Sequence, residues 1–283
     1  NLIHAHTALP DGYAAMLIAR RLNLPFVVTI HGYDLDPANL QKRIWKRSLK
    51  KVITKADKVI YVSSYLKDFA YKELGTAGTW TIIFNGIAYP PPPVEVAKKE
   101  ELVILSVANL IPRKGLDILI KAFSLVSKNS PSRAVLRIVG DGPERKKLQQ
   151  LAEELELKEQ VVLLGRKNHA EVNREMANCD IFCLPSWHEG FGVVYLEAMA
   201  YGKPVIGCKN QGINDLVVDG INGFLVGEGD VLGLANCLRE LMINSDLRRE
   251  IGRAGRDTVK ERFTLAKEAA DLKGLYSSLL VKS

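Results

Sequence analysis

Two glutamates and two glycines follow one predicted strand at a spacing that suits a phosphate-containing ligand. The apolar segment Ile181–Leu184 is typical of a buried strand, and Glu189, Gly190, Gly192 and Glu197 come after it. The glycines allow the backbone to approach a ligand and to begin a helix, whose free N–H groups and dipole favour a phosphate. Glu197, about two turns further along, can accept hydrogen bonds from vicinal hydroxyls such as those of ribose. The pattern therefore indicates a site with one carboxylate on each side of a pyrophosphate.

The elements that must position this loop alternate between strands and helices. Strand-like segments occupy Leu2–Ala5, Phe26–Ile30, Val59–Val62, Thr81–Phe84, Val103–Val107, Val135–Val139, Val161–Leu164, Ile181–Leu184, Val205–Gly207 and Gly223–Val226. Helix-like segments occupy Gly12–Leu22, Leu40–Thr54, Tyr65–Leu74, Gly115–Ser127, Pro143–Leu155, Ala170–Ala177, Gly192–Tyr201, Gly212–Val217, Val231–Asn244 and two stretches between Asp246 and Leu280. This alternation predicts an α/β fold of parallel sheets covered by helices, in which ligands bind beyond the carboxyl ends of the strands.

Four consecutive prolines, Pro90–Pro93, divide the series, because they cannot continue a helix or a central strand and instead form a stiff linker. We therefore predict a first domain over residues 1–94, a second over 95–265, and a C-terminal helix over 266–283 that packs back toward the first. The second domain has six strands and is complete as a doubly wound domain. The first has only four, so we expect the chain to begin inside a longer domain.

The net charge of +7 is concentrated near the start of the chain, where residues 1–94 contain 12 Lys and Arg against six Asp and Glu. In the helix predicted over Leu40–Thr54, a basic half of the helical wheel holds Lys42, Arg43, Lys46, Arg47, Lys50 and Lys51, and an apolar half holds Ile44, Trp45, Leu49 and Val52. Such a helix either packs on the sheet with its basic face in solvent, or contacts anionic lipid headgroups through that basic face. The rest of the chain is nearly neutral, so we expect no nucleic-acid partner.

Several other classes of protein are disfavoured. No apolar run approaches the roughly 20 residues that span a bilayer. No G-x-G-x-x-G follows a strand, which argues against a dinucleotide-dependent dehydrogenase. The four cysteines, at 179, 183, 208 and 237, form no C-x-x-C pair. They are typical of small buried residues in a reducing cytoplasm, with a zinc site as the alternative.

Six motifs together resemble one enzyme family. They are the E-x7-E segment from Glu189 to Glu197, Asn109–Asp117 after a strand, the turn Gly140–Pro143, the turn and strand Asp219–Val226, His31-Gly32, and Asn85-Gly86-Ile87 before the linker. These segments are similar to those of the retaining glycosyltransferases of the GT-B fold, family 4. The resemblance implies two Rossmann-like doubly wound domains facing a cleft, with the donor in the second and the acceptor mainly against the first.

The resemblance also implies roles for single residues. Lys114 would stabilise the leaving diphosphate without a metal, Glu189 would contact hydroxyls of the donor sugar, and His31 would reach that sugar near the transferred bond. The remaining donor-binding candidates are Asn109, Arg113, Gly140, Arg166, Lys167, Gly190, Phe191, Gly192, Val193, Val194 and Glu197. The N–H groups of residues 191–194 would hold the pyrophosphate, Glu197 the ribose, and the backbone of residues 166–167 the nucleobase.

One position departs from the family pattern. Asn109 stands where the family usually has an arginine that pairs with the lysine on the diphosphate, and the neighbouring Arg113 either substitutes for it or points elsewhere. In the family, the start of the first domain, which we expect to precede Asn1, normally carries a glycine-rich loop, so this chain is expected to bind donor even if it fails to turn over.

We therefore predict a retaining, metal-independent hexosyltransferase without a cofactor, which uses a UDP- or GDP-linked sugar and a glycan or lipid-linked acceptor in polysaccharide biosynthesis. The expected location is the cytoplasm, including the inner face of the membrane. A sucrose- or trehalose-type synthase is an alternative within the fold. A catalytically weak nucleotide-sugar-binding or membrane-associated partner protein is the alternative of another class, motivated by Asn109. His4 and His6, at the first predicted strand, are ambiguous in the sequence, and we favour a structural role for them over a functional one.

Overall fold

The computed structural model describes residues 1–95, 101–128 and 133–281, which form two compact units. The first unit comprises Asn1–Gly86, Glu189–Phe191 and Phe263–Ser283, and the second comprises Ile87–His188 and Gly192–Arg262. Each unit is built on its own parallel sheet. The domain limits predicted from the sequence stay predictions.

The first sheet has four parallel strands in the order β1-β2-β3-β4. The strands are β1 (Ile3–His6), β2 (Phe26–Ile30), β3 (Lys58–Tyr61) and β4 (Trp80–Ile82), and the helices of this unit are α1 (Tyr13–Leu22), α2 (Pro37–Leu40), α3 (Arg43–Lys55), α4 (Ser64–Leu74) and α11 (Leu265–Leu280). All five residues of β2 are buried, as expected for an apolar, β-branched segment inside a parallel sheet. Leu272, Leu275 and Leu279 of α11 pack against the cluster formed by Val27, Ile60 and Ile83.

The second sheet has six strands in the order β10-β9-β8-β5-β6-β7, and every pair is parallel. Its strands are β5 (Leu102–Val107), β6 (Ala134–Val139), β7 (Val161–Gly165), β8 (Ile181–Leu184), β9 (Val205–Cys208) and β10 (Phe224–Val226). The chain first winds outward from β5 through β6 to β7 and then crosses to β8 on the other side. The order of the strands therefore reverses between β5 and β8, and ligands of doubly wound sheets bind at such a reversal.

The described part of the second unit contains six helices: α5 (Leu116–Ser127), α6 (Arg145–Glu154), α7 (His169–Asn178), α8 (Val193–Ala200), α9 (Val231–Ile243) and α10 (Ser245–Arg262). Short 3-10 turns occur at Pro112–Lys114 and Gly212–Asp215. All four cysteines are free thiols, three of them buried. No helix of residues 1–95, 101–128 and 133–281 is long and apolar enough to cross a membrane.

The predicted strands are confirmed to within about two residues, and two helix predictions need correction. The segment Gly212–Val217, predicted as a helix, contains only the 3-10 turn Gly212–Asp215. The helix predicted over Leu40–Thr54 begins only at Arg43, because Leu40 ends the separate short helix α2 that Asp36 caps. Ile44, assigned to the buried half of that helix, is 82% exposed because it lies in the first turn of α3, ahead of the segment that covers the sheet.

Candidate functional site

The loops after β5 and β8 interlock at the point where the strand order of the second sheet reverses. The backbone N–H of Trp187 donates to the carbonyl of Arg113 at 2.9 Å. Gly115 has a φ of +64°, and a Cβ built there would lie 2.3 Å from the carbonyl oxygen of Pro185. Only glycine tolerates both the left-handed backbone and this approach. The close packing fixes Lys114, which is half-buried, at the carboxyl edge of the sheet beside the loop that leads to α8.

The side chain of Arg113 supports the second of these loops. Its Nη1 donates to the carbonyl of His188 at 3.1 Å. His188 has a φ of +54°, a left-handed conformation that a residue with a side chain rarely adopts, and it directly precedes Glu189. The guanidinium is therefore directed at the loop backbone. Asn109, the residue that departs from the family pattern, is exposed on the loop after β5.

The start of α8 offers backbone donors, and a carboxylate follows them about one turn further along the helix. Gly192, with a φ of +84°, precedes the first helical residue Val193 and has no side chain with which to cap it. The first N–H groups of a helix have no partner within the helix, and the positive end of the dipole lies there. Glu197 lies four residues after Val193 and so projects from the same face. Burial raises the pKa of this half-buried carboxyl, and His169, the first residue of α7, partly offsets the rise.

The loops after β6 and β7 also contact their neighbours closely. Gly140 has a φ of +134°, and a Cβ there would lie 1.8 Å from the carbonyl oxygen of Ala108 in the loop after β5. The N–H of Gly140 donates to Gly165, the last residue of β7, at 2.9 Å. Gly140 therefore joins the loops after β5, β6 and β7, and its own N–H is already hydrogen-bonded. Beyond β7, Arg166 is exposed, and Lys167 lies 3.5 Å from the glutamate in the first turn of α7.

The tip of the loop after β8, Glu189–Phe191, belongs to the first unit. The hydroxyl of Ser63, at the start of α4, donates to the carbonyl of Gly190 at 2.6 Å. A Cβ on Gly190 would lie 2.9 Å from the carbonyl oxygen of His31, so this position admits only glycine without rearrangement. His31, immediately after β2, is therefore brought beside the loop tip that carries Glu189.

Phe191, the last residue of this loop tip, packs in an aromatic cluster of the first unit. Its ring is stacked on Phe84 with the centroids 5.8 Å apart, and Phe263 packs edge-on against Phe84 at 5.3 Å. Phe191 is 3% exposed. Such packing holds the backbone of the tip, and hence its polar groups, in a single position.

Residues 92–258 match the family model described as glycosyl transferases group 1, and residues 1–88 match the model of glycosyltransferase family 4. The chain belongs to the group 1 glycosyltransferases. An uncharacterized glycosyltransferase of Methanocaldococcus jannaschii is 32% identical over 280 residues, which cover 99% of this chain and 76% of the relative. A GDP-mannose-dependent alpha-(1-6)-phosphatidylinositol monomannoside mannosyltransferase of Mycolicibacterium smegmatis is 29% identical, covering 92% of this chain and 70% of the relative.

Solved structures show the same architecture. Anabaena HepE in complex with UDP matches with a TM-score of 0.89 and 27% identity, covering 99% of this chain and 79% of HepE. Its complex with UDP-glucose matches with a TM-score of 0.81 and 25% identity, covering 98% of this chain and 79% of HepE. The predicted GT-B fold, with two Rossmann-like parallel sheets, is confirmed.

The predicted site residues of this glycosyltransferase fall into two groups, each within one unit. The first unit holds His31, Glu189, Gly190 and Phe191; the second holds Asn109, Arg113, Lys114, Gly140, Arg166, Lys167, Gly192, Val193, Val194 and Glu197. Sequence reasoning missed Ser63 as a support of the loop tip, and no local pattern distinguishes it from an ordinary helix cap. It also missed His6, which contacts His31. The period of two along β1, which puts His6 on the same face as His4, was the available signal.

Proposed function

We propose that this glycosyltransferase moves a hexosyl group from a UDP- or GDP-linked sugar to a glycan or lipid-linked acceptor with retention of the anomeric configuration. The observation that supports it best is the start of α8. The first N–H groups of α8 have no side-chain cap, Glu197 lies about one turn after Val193, and the loop that carries Lys114 is bonded to the loop that leads to this helix. Together they offer a cation, backbone donors and a carboxylate to a nucleoside diphosphate.

In the proposed mechanism, the second unit holds the leaving group. The N–H groups of Val193 and Val194 bind the pyrophosphate at the positive end of the α8 dipole. The Lys114 ammonium neutralises the charge that develops on the diphosphate as the glycosidic bond breaks, the role that a metal ion has in other transferases. Glu197 accepts hydrogen bonds from the ribose hydroxyls. The backbone at Arg166 and Lys167, after β7, faces the nucleobase.

The sugar is held by groups of the first unit. Glu189 accepts hydrogen bonds from its hydroxyls, and His31 faces the carbon at which transfer occurs. The Ser63–Gly190 bond and the contact of Gly190 with His31 fix these two residues relative to each other. Retention follows if the acceptor hydroxyl attacks an oxocarbenium-like centre from the face that the diphosphate leaves: its oxygen bonds to the anomeric carbon as the bond to the diphosphate breaks, and its proton passes to the departing phosphate oxygen.

Calorimetric binding of UDP, GDP and ADP tests the donor site and identifies the nucleobase. UDP is the first choice because HepE was solved with UDP and UDP-glucose, and GDP the second because the mannosyltransferase relative is GDP-mannose-dependent. Lys114→Ala and Glu197→Gln should each raise the Kd about tenfold or more, as expected for losing a charge-assisted hydrogen bond.

Exposed residues elsewhere on the second unit provide the matched controls. Lys146→Ala on α6 and Glu240→Gln on α9 remove the same charges from exposed positions and should leave the Kd unchanged. Binding of no nucleotide, or equal binding by the site variants and the controls, would reject this site.

A nucleotide-sugar-binding protein with weak catalysis is the second candidate, because a specific observation favours it. Asn109 lacks the usual cation, and Arg113 is committed to the carbonyl of His188. On this alternative, UDP binds but a donor sugar is not transferred or hydrolysed. Asn109→Arg distinguishes the two candidates: a rise in kcat from a measurable wild-type rate supports an enzyme that works with Lys114 alone, whereas a rise from zero supports the binding protein.

We also propose that the basic face of α3 contacts anionic lipid headgroups, consistent with a lipid-linked acceptor. Arg43, Arg47 and Lys50 are exposed beside the exposed Ile44, whereas Lys46 is paired with Glu73 at 3.3 Å. Replacing the six basic residues from Lys42 to Lys51 with Gln should abolish co-sedimentation with vesicles that contain phosphatidylserine. Unchanged co-sedimentation would leave α3 as a solvated helix over the sheet.

A further inference from the structure

Three histidines of the first unit form a continuous chain of ring contacts. The register of the parallel pair places His6 opposite Thr29, and His31 follows at the end of β2. His4 is anchored on both nitrogens, with Nδ1 2.6 Å from the hydroxyl of Tyr276 and Nε2 2.7 Å from the hydroxyl of Thr29. The His6 ring packs on this anchored ring at a centroid distance of 4.4 Å. The ring of His6 therefore packs against His4, whose two hydrogen bonds prevent it from rotating freely.

On its other side, His6 bonds to His31. The Nδ1 of His6 lies 3.2 Å from the Nε2 of His31. The two ring planes are within 19° of each other and their centroids are 5.5 Å apart, so the bond runs close to the plane of both rings, where the N–H and the lone pair point. One nitrogen donates and the other accepts, which fixes the tautomers of the two rings relative to each other. The bond leaves Nδ1 as the ring nitrogen of His31 that is available to a substrate.

The three histidines are not arranged around a metal ion, since no three His, Cys, Asp or Glu side chains among residues 1–95, 101–128 and 133–281 are placed to hold one. We propose that His6 is a positioning residue, which fixes the ring of His31 through Nε2 and presents its Nδ1 to the transferred sugar. This rests on the proposed function, in which His31 contacts the donor sugar. Many enzymes orient a working histidine by a hydrogen bond to its second nitrogen, and here another histidine supplies that bond.

Electrostatics limits the states of this pair. Two protonated rings would both be donors and could not share the bond. Burial and the neighbouring His6 lower the pKa of His31, and burial followed by His6 and His31 lowers the pKa of His4 to about 4. Of the groups on other elements, Tyr276 of α11 bonds to His4, and Glu189 precedes Gly190, which packs against the carbonyl of His31. Near neutral pH, His4 is thus an uncharged support for His6, and a second charge on the pair is disfavoured.

Two replacements of His6 separate positioning from packing. His6→Phe keeps an aromatic ring against His4 but removes the nitrogen, and His6→Asn restores a polar atom near the position of Nδ1. Long-range ¹H–¹⁵N spectra of the protein with UDP report the tautomer and pKa of each of the five histidines. We expect one dominant tautomer of His31 in the wild type, a mixture in His6→Phe, and recovery in His6→Asn. The pKa of His31 should rise in His6→Phe, because a neighbouring positive charge is removed.

Turnover of UDP-glucose is the second measurement. We expect His6→Phe to lower kcat about tenfold, with the KM within about twofold, and to move the acidic limb of the pH profile to higher pH. His6→Asn should recover most of kcat. An unchanged His31 tautomer in His6→Phe, or an unchanged kcat and pH profile, would overturn the proposal. Failure of the proposed function is separate: the wild type would then neither bind UDP nor turn over the donor, while the tautomer measurement still decides whether His6 orients His31.

Discussion

Asp34 is a carboxylate whose burial makes the stability of the first unit depend on pH in an unusual direction. The residue is 0% exposed. Its Oδ1 accepts from the N–H groups of Ala8 at 2.9 Å and Leu9 at 3.1 Å, whereas Oδ2 is buried with no hydrogen-bond partner among the described residues. Burial raises the pKa of Asp34 to about 6 in spite of these two bonds, and Asp11 adds to the rise.

Raising a carboxyl pKa from 3.8 to about 6 corresponds to about 3 kcal/mol. Because the folded state favours the protonated form, this stabilisation is fully present below pH 3.8 and is lost as the pH rises through about 6. Between pH 5 and pH 8 the wild type should lose about 1.4 kcal/mol through this group alone. Asp34→Asn is neutral at every pH and has no such loss. Its free energy of unfolding relative to the wild type should therefore rise by about 1.4 kcal/mol from pH 5 to pH 8.

Urea unfolding followed by tryptophan fluorescence measures this difference. In a Trp187→Phe background, the remaining tryptophans, Trp45 and Trp80, both report on the first unit, and Trp45 donates its indole N–H to the carbonyl of Asp34 itself. Asp68→Asn, at an exposed carboxylate on α4, controls for the loss of one negative charge. A difference between Asp34→Asn and the wild type that stays constant from pH 5 to pH 8, or that falls, would refute the buried, raised-pKa carboxyl.

Three further predictions concern the loops of the site. Gly140→Ala should destabilise the second unit by about 3 kcal/mol, because of its positive φ and the carbonyl 1.8 Å from the new Cβ. Gly220→Ala, with positive φ but open space, should cost only about 1 kcal/mol, and equal thermal shifts would contradict the steric account. Arg113→Gln should lower kcat about tenfold with little change in melting temperature, since it frees the strained loop before Glu189. Ser63→Ala should cost about 1–2 kcal/mol in chemical unfolding, through the lost α4 cap and loop bond.

The strands were predictable because their signal is local. Phe26–Ile30 and Ile181–Leu184 are short apolar runs flanked by polar or turn residues, and the structure reproduces both without a shift. The helix start at Arg43 was not predictable from the wheel alone. Asp36 caps a separate short helix over Pro37–Leu40, so α3 begins later than the pattern suggests, and Ile44 in its first turn is exposed to solvent. The pattern identifies a helix, but it does not determine which turn of that helix reaches the sheet.

The candidate site shows the same division between local and long-range information. The spacing from Gly192 to Glu197 is a property of one helix, and the sequence predicts it directly. The bond from Arg113 to His188 joins residues 75 positions apart, and the bond from Ser63 to Gly190 joins residues 127 apart. No pattern within one segment predicts which side chain of a loop will turn toward another loop. The sequence alone therefore left open where Arg113 points.

A glycine in a turn after a strand marks a close approach of the backbone, and the structure shows which group it approaches. Gly140 was predicted as a donor-binding residue, yet its N–H is engaged by Gly165 and its α-carbon abuts Ala108. Gly115 and Gly190 likewise admit the carbonyls of Pro185 and His31. In each case the partner is another loop, and that contact holds Lys114 or Glu189 in place. We infer that these glycines act on the ligand indirectly, so replacing them should reduce folding stability and donor affinity together, whereas replacing Glu197 should reduce affinity alone.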